Sequence, residues 1–205
     1  MLSDEQAGFR ARKSCSMQIR CLNHICRIRA KAQHKPTYCA FLDVKRAYDD
    51  VWRDALWSRL QLRIGDGRMF QSIRQMYSSV TRRFFLGDTV GESFTLECGV
   101  AQGGVLSPTL YNIFINDIVV RLSQSNLGVG FSKQNLLKIT MLLYAEERVL
   151  LADSEQELQE MLDVVELFAR ENHFRFNIAK CGIVISETRQ RNHPMISCTL
   201  GVLSV

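Results

Sequence analysis

The chain's apolar and polar positions fall into short blocks of changing period. From 14 to about 32 the pattern is mixed and helical, rich in Arg and Lys, and His34-Lys35-Pro36 breaks it. "TYCAFLDV" (37–44) is apolar and β-rich, a buried strand. Residues 53–62 and 66–79 read as two helices, split at Gly65-Asp66-Gly67. "RRFFLG" and "ESFTLECG" form a hairpin turning at 87–91, and "VAQGG" (100–104) is a glycine loop. Ser107 is the expected N-cap of the next helix, with Pro108 at its first position. "LKITMLLYAEERVLLA" (137–152) is two apolar runs around one charged point, a tight hairpin with its tip at 145–147. Ser154 caps a long amphipathic helix to about 172, and Glu157 completes a capping box. "RFNIAKCGIVIS" closes the pattern with a turn and a strand.

Helices and strands therefore alternate in an order that includes hairpins, which excludes a purely parallel sheet. The expected class is α+β: an antiparallel sheet with helices packed on one face. No internal repeat, low-complexity linker or domain boundary interrupts the 205 residues.

Composition narrows this picture only a little. Net charge is +5, from 26 Lys+Arg against 21 Asp+Glu, which permits a polyanionic partner without requiring one. Cys15, Cys21, Cys26, Cys39, Cys98, Cys181 and Cys198 are odd in number and contain no CxxC pair, so reduced thiols are expected rather than a disulfide framework. Cys21, His24 and Cys26 lack a fourth ligand nearby in sequence, and ordinary cysteines explain them better than zinc. Early charges at Asp4, Glu5 and Arg10 argue against a signal segment, and no apolar run reaches bilayer length. The expectation is a soluble, intracellular protein without a membrane partner, with nucleus and cytoplasm both open.

Two acidic points interrupt buried strands. Asp43 ends "CAFLD", and Glu146-Glu147 sit at the hairpin tip. Buried carboxylates require partners, and a divalent cation suits three acids that lack matched Lys or Arg. Two such ions support in-line displacement at phosphorus. On the acids alone, solvated turn residues remain the competing explanation.

The surrounding motifs add a resemblance. "QAGFRARKS" (6–14), "FLDVKRAYDDV" (41–51), "GVAQGGVLSPTLYNIFINDI" (99–118), "YAEE" (144–147) and "NIAK" (177–180) occur in that order. Together they resemble the reverse transcriptase domain, in particular that of non-LTR (LINE-like) retrotransposons and, more distantly, group II intron maturases. The resemblance implies a polymerase palm with part of the fingers: residues 1–36 as partial fingers, 37–205 as palm, and no thumb. It implies Asp43, the Val44 carbonyl, Glu146 and Glu147 as holders of Mg²⁺ or Mn²⁺, and Lys180 as a catalytic cation near the triphosphate. Tyr48 matches the aromatic steric gate against a 2′-OH, and Gln102 and Gly103 match the loop against the nascent base pair. Arg10 and Lys13 match basic fingers positions that contact nucleotide or template, Asp49 is expected to be structural, and no role is carried onto Arg12. The implied partners are an RNA template, a DNA primer and dNTPs; the oligomeric state is left open.

The chain departs from the family at the hairpin. Where the pattern has Tyr-x-Asp-Asp and an apolar residue, this sequence has Tyr144-Ala145-Glu146-Glu147-Arg148. Each Glu adds a methylene and a rotatable bond, and Mg²⁺ demands near-ideal octahedral geometry. Arg148 introduces a cation expected to pair with Glu146 or Glu147, or to charge an apolar strand face. Two expectations follow: template-directed DNA synthesis impaired at the hairpin, or an inert retroelement remnant that at most binds nucleic acid.

Overall fold

The computed structural model describes residues 2–130 and 138–187. The expected strand start at 137, Cys198 and the portion of the expected palm beyond 187 lie outside the described residues.

The helices and strands follow the hydrophobic pattern closely. Helix α1 (Cys15–Ala32) begins where Ser14 Oγ accepts from Met17 N at 3.2 Å. Strand β1 (Thr37–Leu42) follows, then α2 (Arg53–Ile64) and α3 (Arg68–Met76), broken at Gly65 with φ 72°. The next hairpin is made of short pieces: β2 (Thr81–Arg82) pairs β5 (Phe94–Thr95), and β3 (Phe85–Leu86) pairs β4 (Thr89–Val90). Its tip is Gly87-Asp88, tighter than the expected 87–91, because Gly87 takes φ 57°.

Helix α4 (Ser107–Gln124) corrects one expectation. Leu106, already in helical conformation, precedes the first helical residue, and Ser107 is not the N-cap. The chain turns earlier, where Ser107 N donates to Gly104 O at 3.2 Å, and the buried Ser107 hydroxyl lies 3.5 Å from that of Tyr77. Strands β6 (Val129–Gly130) and β7 (Lys138–Ile139) pair next. The chain then forms β8 (Met141–Tyr144), β9 (Glu147–Ala152), α5 (Glu155–Glu171), a 3₁₀ turn at Ile178–Lys180 and β10 (Gly182–Ser186). At the start of α5, Ser154 Oγ accepts from Glu157 N as expected, but the Glu157 carboxylate reaches back to Asp153 N and Gly128 N.

The main sheet runs β10-β1-β9-β8 and is antiparallel throughout. Period-two alternation sorts its side chains. Ala40, Leu42, Met141, Leu143, Leu150 and Ala152 join the core formed with α2, α4 and α5. Cys39, Leu142, Val149 and Leu151 point the other way and pack with Ile25 of α1. The helical layer is thus where the α+β pattern put it, and α1 adds a smaller cover on the opposite face. α4 is buried over most of its circumference from Leu110 to Leu122, which the apolar residues on both sides of Asn112 and Asn116 explain.

Candidate active site

The β8–β9 register fixes the hairpin tip: Tyr144 pairs Glu147, leaving Ala145 and Glu146 as a two-residue turn. Ala145 takes φ 57°, which costs a side-chain-bearing residue conformational energy. The segment before α1 holds it there. Gln6, 1% exposed, accepts from Ala145 N at 3.0 Å and from Gly8 N at 2.8 Å through its side-chain oxygen, and donates to Ala145 O at 3.2 Å. Backbone bonds Ala7 N to Leu143 O (2.9 Å) and Leu143 N to Glu5 O (3.0 Å) extend the contact. Gly8 leaves no space for a side chain: a Cβ there would sit 2.1 Å from Ala145 N. Two asparagines one turn apart on α4 secure the same segment. Asn112 Nδ2 donates to Gly8 O at 2.9 Å, and Asn116 Oδ1 accepts from Ser3 N at 2.7 Å. Sequence reasoning assigned no role to Gln6, Gly8, Asn112 or Asn116. The available signal was polar side chains inside an otherwise apolar helix, which require partners when buried.

Asp43 follows β1 directly. The β1–β9 register pairs Leu42 with Arg148, and one further step sets Asp43 beside Glu147. Asp43 is buried, Glu146 half-buried and Glu147 exposed. Burial, then Asp43, then Glu146 raise the Glu147 carboxyl above its ordinary value, against the pull of Lys180 and Arg148. Asp43 and Glu146 therefore both act on Glu147. Among the described residues, however, no three His, Cys, Asp or Glu side chains converge closely enough to hold a metal ion. The hard oxygen donors suit a divalent cation in chemistry, but their spacing is not that of an assembled coordination set.

A bridge between Val44 and Phe176, with Lys45 N donating to Arg175 O and Asn177 N to Asp43 O (2.9 Å each), brings the following turn beside Asp43. Lys180 Nζ then lies 3.8 Å from Asp43 Oδ2 while staying 68% exposed. Tyr48 stacks on Tyr111 of α4, with ring centroids 5.1 Å apart and planes at 17°. Burial, Glu146 and Tyr111 together push the Tyr48 hydroxyl up to about 12.

Gln102 and Gly103 stand further round. Gln102 Nε2 donates to Asp49 Oδ2 at 3.2 Å, and Gly103 takes φ 80°. Asp49 also pairs with Arg82 at 3.5 Å, so it ties the glycine loop and the β2–β5 hairpin together. Arg10 and Lys13 both bind Asp4, and Arg10 further donates to Ser3 O (2.6 Å) and Gln6 O (3.0 Å). They brace the segment that carries Gln6.

Arg148 does not make the ion pair expected with the glutamates. β9 alternation turns it away from them into the helical core, 3% exposed. It donates to Tyr111 OH at 3.1 Å and lies over the rings of Phe176 (5.6 Å) and Phe174 (6.0 Å). Its Nε and Nη1 find no partner among the described residues.

Comparison with known proteins fits this geometry. Residues 1–196 match the family model described as reverse transcriptase (RNA-dependent DNA polymerase). The chain is 29% identical over 209 residues to the RNA-directed DNA polymerase from mobile element jockey of Drosophila funebris, covering 97% of this chain and 21% of that protein. It is 31% identical over 152 residues to the Pol polyprotein of the type-1 retrotransposable element R2 of Nasonia vitripennis, covering 74% of this chain and 14% of that one. The chain thus spans a minor part of the length of these relatives. The fold is shared with telomerase from Candida tropicalis in complex with a fragment of telomeric RNA, at a TM-score of 0.66 and 12% identity, over 90% of this chain and 30% of that one.

Proposed function

The chain belongs to the reverse transcriptase (RNA-dependent DNA polymerase) family, in its non-LTR retrotransposon branch, and from that premise we propose a template-directed DNA synthesis domain weakened at its metal hairpin. The observation that carries the reading is that Asp43 and Glu147, each the next residue past the Leu42–Arg148 pair, interact at the end of the sheet. In this reading residues 1–36 are part of the fingers and 37–205 the palm.

Asp43, Glu146, Glu147 and the Val44 carbonyl would hold Mg²⁺ or Mn²⁺, which supplies charge stabilisation for nucleotidyl transfer from dNTPs. The other residues position and neutralise. Lys180, exposed beside Asp43, offers a cation or a proton to departing pyrophosphate. The Tyr48 ring, fixed by its stack on Tyr111, forms a floor that discriminates against a 2′-OH. Gln102 and Gly103 present polar side chain and open backbone to a base pair joining primer to RNA template. Arg10 and Lys13, which brace the Gln6 segment, would contact nucleotide or template.

The weakening lies in the reach of the two glutamates and the charge beneath them. The test is primer extension on an RNA template with Mg²⁺ or Mn²⁺, comparing this chain with the triple variant Glu146→Asp, Glu147→Asp, Arg148→Leu. The variant is expected to be faster by on the order of a hundredfold, the effect of an ångström-scale displacement. Equal rates would refute the weakening. A second reading, an inert remnant, is favoured by the lack of three converging metal-ligating side chains among the described residues. It holds if neither protein extends a primer.

A further inference from the structure

Two thiols meet where α1 lies on the sheet. The face that α1 covers carries Thr37 and Cys39 of β1. The register sets Ser186 opposite Thr37 and Val184 opposite Cys39, so Ser186 shares that face. Ile25 and Leu22 of α1 pack there, and Cys26 turns its side chain against Cys39. Cys21 and His24, its neighbours in sequence, stay exposed on the outer side of the helix. The sulfur that Cys26 meets therefore belongs to the next element of the fold. α1 and β1 come within 8 Å of each other at their Cα atoms, close to the roughly 4.4–6.8 Å that a disulfide spans.

The two thiols, both free, have unlike surroundings. Cys39 is 3% exposed. Cys26 is half-buried and, with Ser186, lines an open cleft of 660 Å³ between α1 and the end of β10. Val184, across from Cys39 on the same face, is 53% exposed, so α1 leaves that edge of the sheet uncovered. A small polar oxidant has room to approach Cys26 from this side. The Cys39 thiol donates to the Cys26 sulfur. The Ser186 hydroxyl and the Arg29 charge also favour a thiolate there. Against the cost of burial, these hold the Cys26 thiol below its ordinary range. Cys39, buried and facing that sulfur, is pushed up and keeps its proton. A thiolate open to solutes thus sits beside a protected thiol, the arrangement in which an oxidised sulfur has a resolving partner at hand.

We propose that Cys26 and Cys39 are a peroxide-responsive thiol pair, in which Cys26 is oxidised and Cys39 closes a reversible disulfide that ties α1 to β1. The Cys26 thiolate attacks one oxygen of hydrogen peroxide and the O–O bond breaks. Cys26 becomes a sulfenic acid, and the departing hydroxide takes a proton from solvent. The Cys39 sulfur then attacks the Cys26 sulfur, an S–S bond forms and the S–O bond breaks. The second hydroxide leaves with the Cys39 proton as water. Two electrons pass from the pair of sulfurs to peroxide, and two waters are the only other product. This chemistry is separate from nucleotidyl transfer and stands whether or not the chain extends a primer.

The experiment treats the full, reduced chain with hydrogen peroxide at pH 7 and quenches it with N-ethylmaleimide. Digestion without reductant and mass spectrometry then locate the modified sulfurs. The expected product is a peptide pair joining Cys26 to Cys39, lighter by the two thiol hydrogens and reopened by dithiothreitol. In Cys39→Ser the sulfenic acid has no resolving thiol. Dimedone should then label Cys26 at least about tenfold faster than Cys21 in the same molecule, although Cys21 is the more exposed. Cys21→Ser should form the Cys26–Cys39 link as wild type does. The wild-type map needs no variant to fold, and circular dichroism verifies the two that are used. Labelling of Cys26 no faster than Cys21 overturns the activated sulfur. Linkage of Cys26 to any other cysteine or to a second chain overturns the pair, as does oxidation to sulfinic acid in wild type without a link to Cys39.

Discussion

Gln6 holds Ala145 from both sides, accepting from its N–H at 3.0 Å and donating to its carbonyl at 3.2 Å. The Gln6→Ala variant leaves the N–H groups of Ala145 and Gly8 without that acceptor in a buried place. A stranded buried donor costs about 1–3 kcal/mol. Urea denaturation is expected to show a lower midpoint with an unchanged slope. Gly8→Ala should be worse, because its Cβ would meet backbone that has no room to move. A midpoint that stays put in both variants would contradict the clamp.

Arg148 presents the opposite case. It fills core space but leaves two donors unpartnered, and its ring contacts offset only part of that cost. Arg148→Met keeps the length and removes the desolvated charge. The variant is expected to be about 1–3 kcal/mol more stable by urea denaturation, as buried charges replaced by apolar groups often are. A less stable variant would show that the bond to Tyr111 and the aromatic contacts outweigh the orphaned donors.

The pH dependence of stability has a sign fixed by Glu147. Its carboxyl is raised in the folded state by burial, Asp43 and Glu146. The folded chain thus favours the protonated acid. That contribution is present below the unfolded value of about 4.3 and is lost as pH rises through the folded one. Without divalent ions, Glu147→Gln is expected to melt higher than wild type at pH 7, and the two should converge toward pH 4. Differential scanning fluorimetry across that range decides it, and a constant gap would place the effect outside this acid.

Divalent ions should act on the same repulsion. Mg²⁺ or Mn²⁺ is expected to raise the melting temperature of wild type. The gain follows mass action, about 2.7 kcal/mol at a hundredfold excess over Kd. Asp43→Asn should abolish the shift. Equal shifts in both proteins would assign the ion to another place.

Much of this fold was legible because its sheet residues obey a period of two and two of its helices, α1 and α5, begin at side-chain caps. The β1, β8 and β9 runs were readable as strands, and Ser14 and Ser154 mark real helix starts. Ser107 misled because a cap-type residue can also be a buried hydroxyl inside the first turn. The Tyr-x-Glu-Glu stretch pointed to the hairpin tip. What faces it was not legible, since Gln6 and Ala145 are joined by a tertiary contact that leaves no local pattern. Arg148 was half legible: it does place a charge on an apolar strand face, but the ion pair expected with the glutamates is not the one it makes. Proximity in sequence suggested the glutamates as its partners, whereas strand alternation turns it to the other side of the sheet.

The clamp at the hairpin also sets a timetable. Gln6 leaves the ribosome 139 residues before the backbone it must grip. At synthesis rates of about 5–20 residues per second, that interval is on the order of ten seconds. Throughout it, the segment lacks its hairpin partner, and the Ala145 turn, once made, has only its strained backbone until the segment docks. Nascent-chain conditions that delay this meeting, rather than the finished contacts, would then govern how much of the protein reaches a working tip.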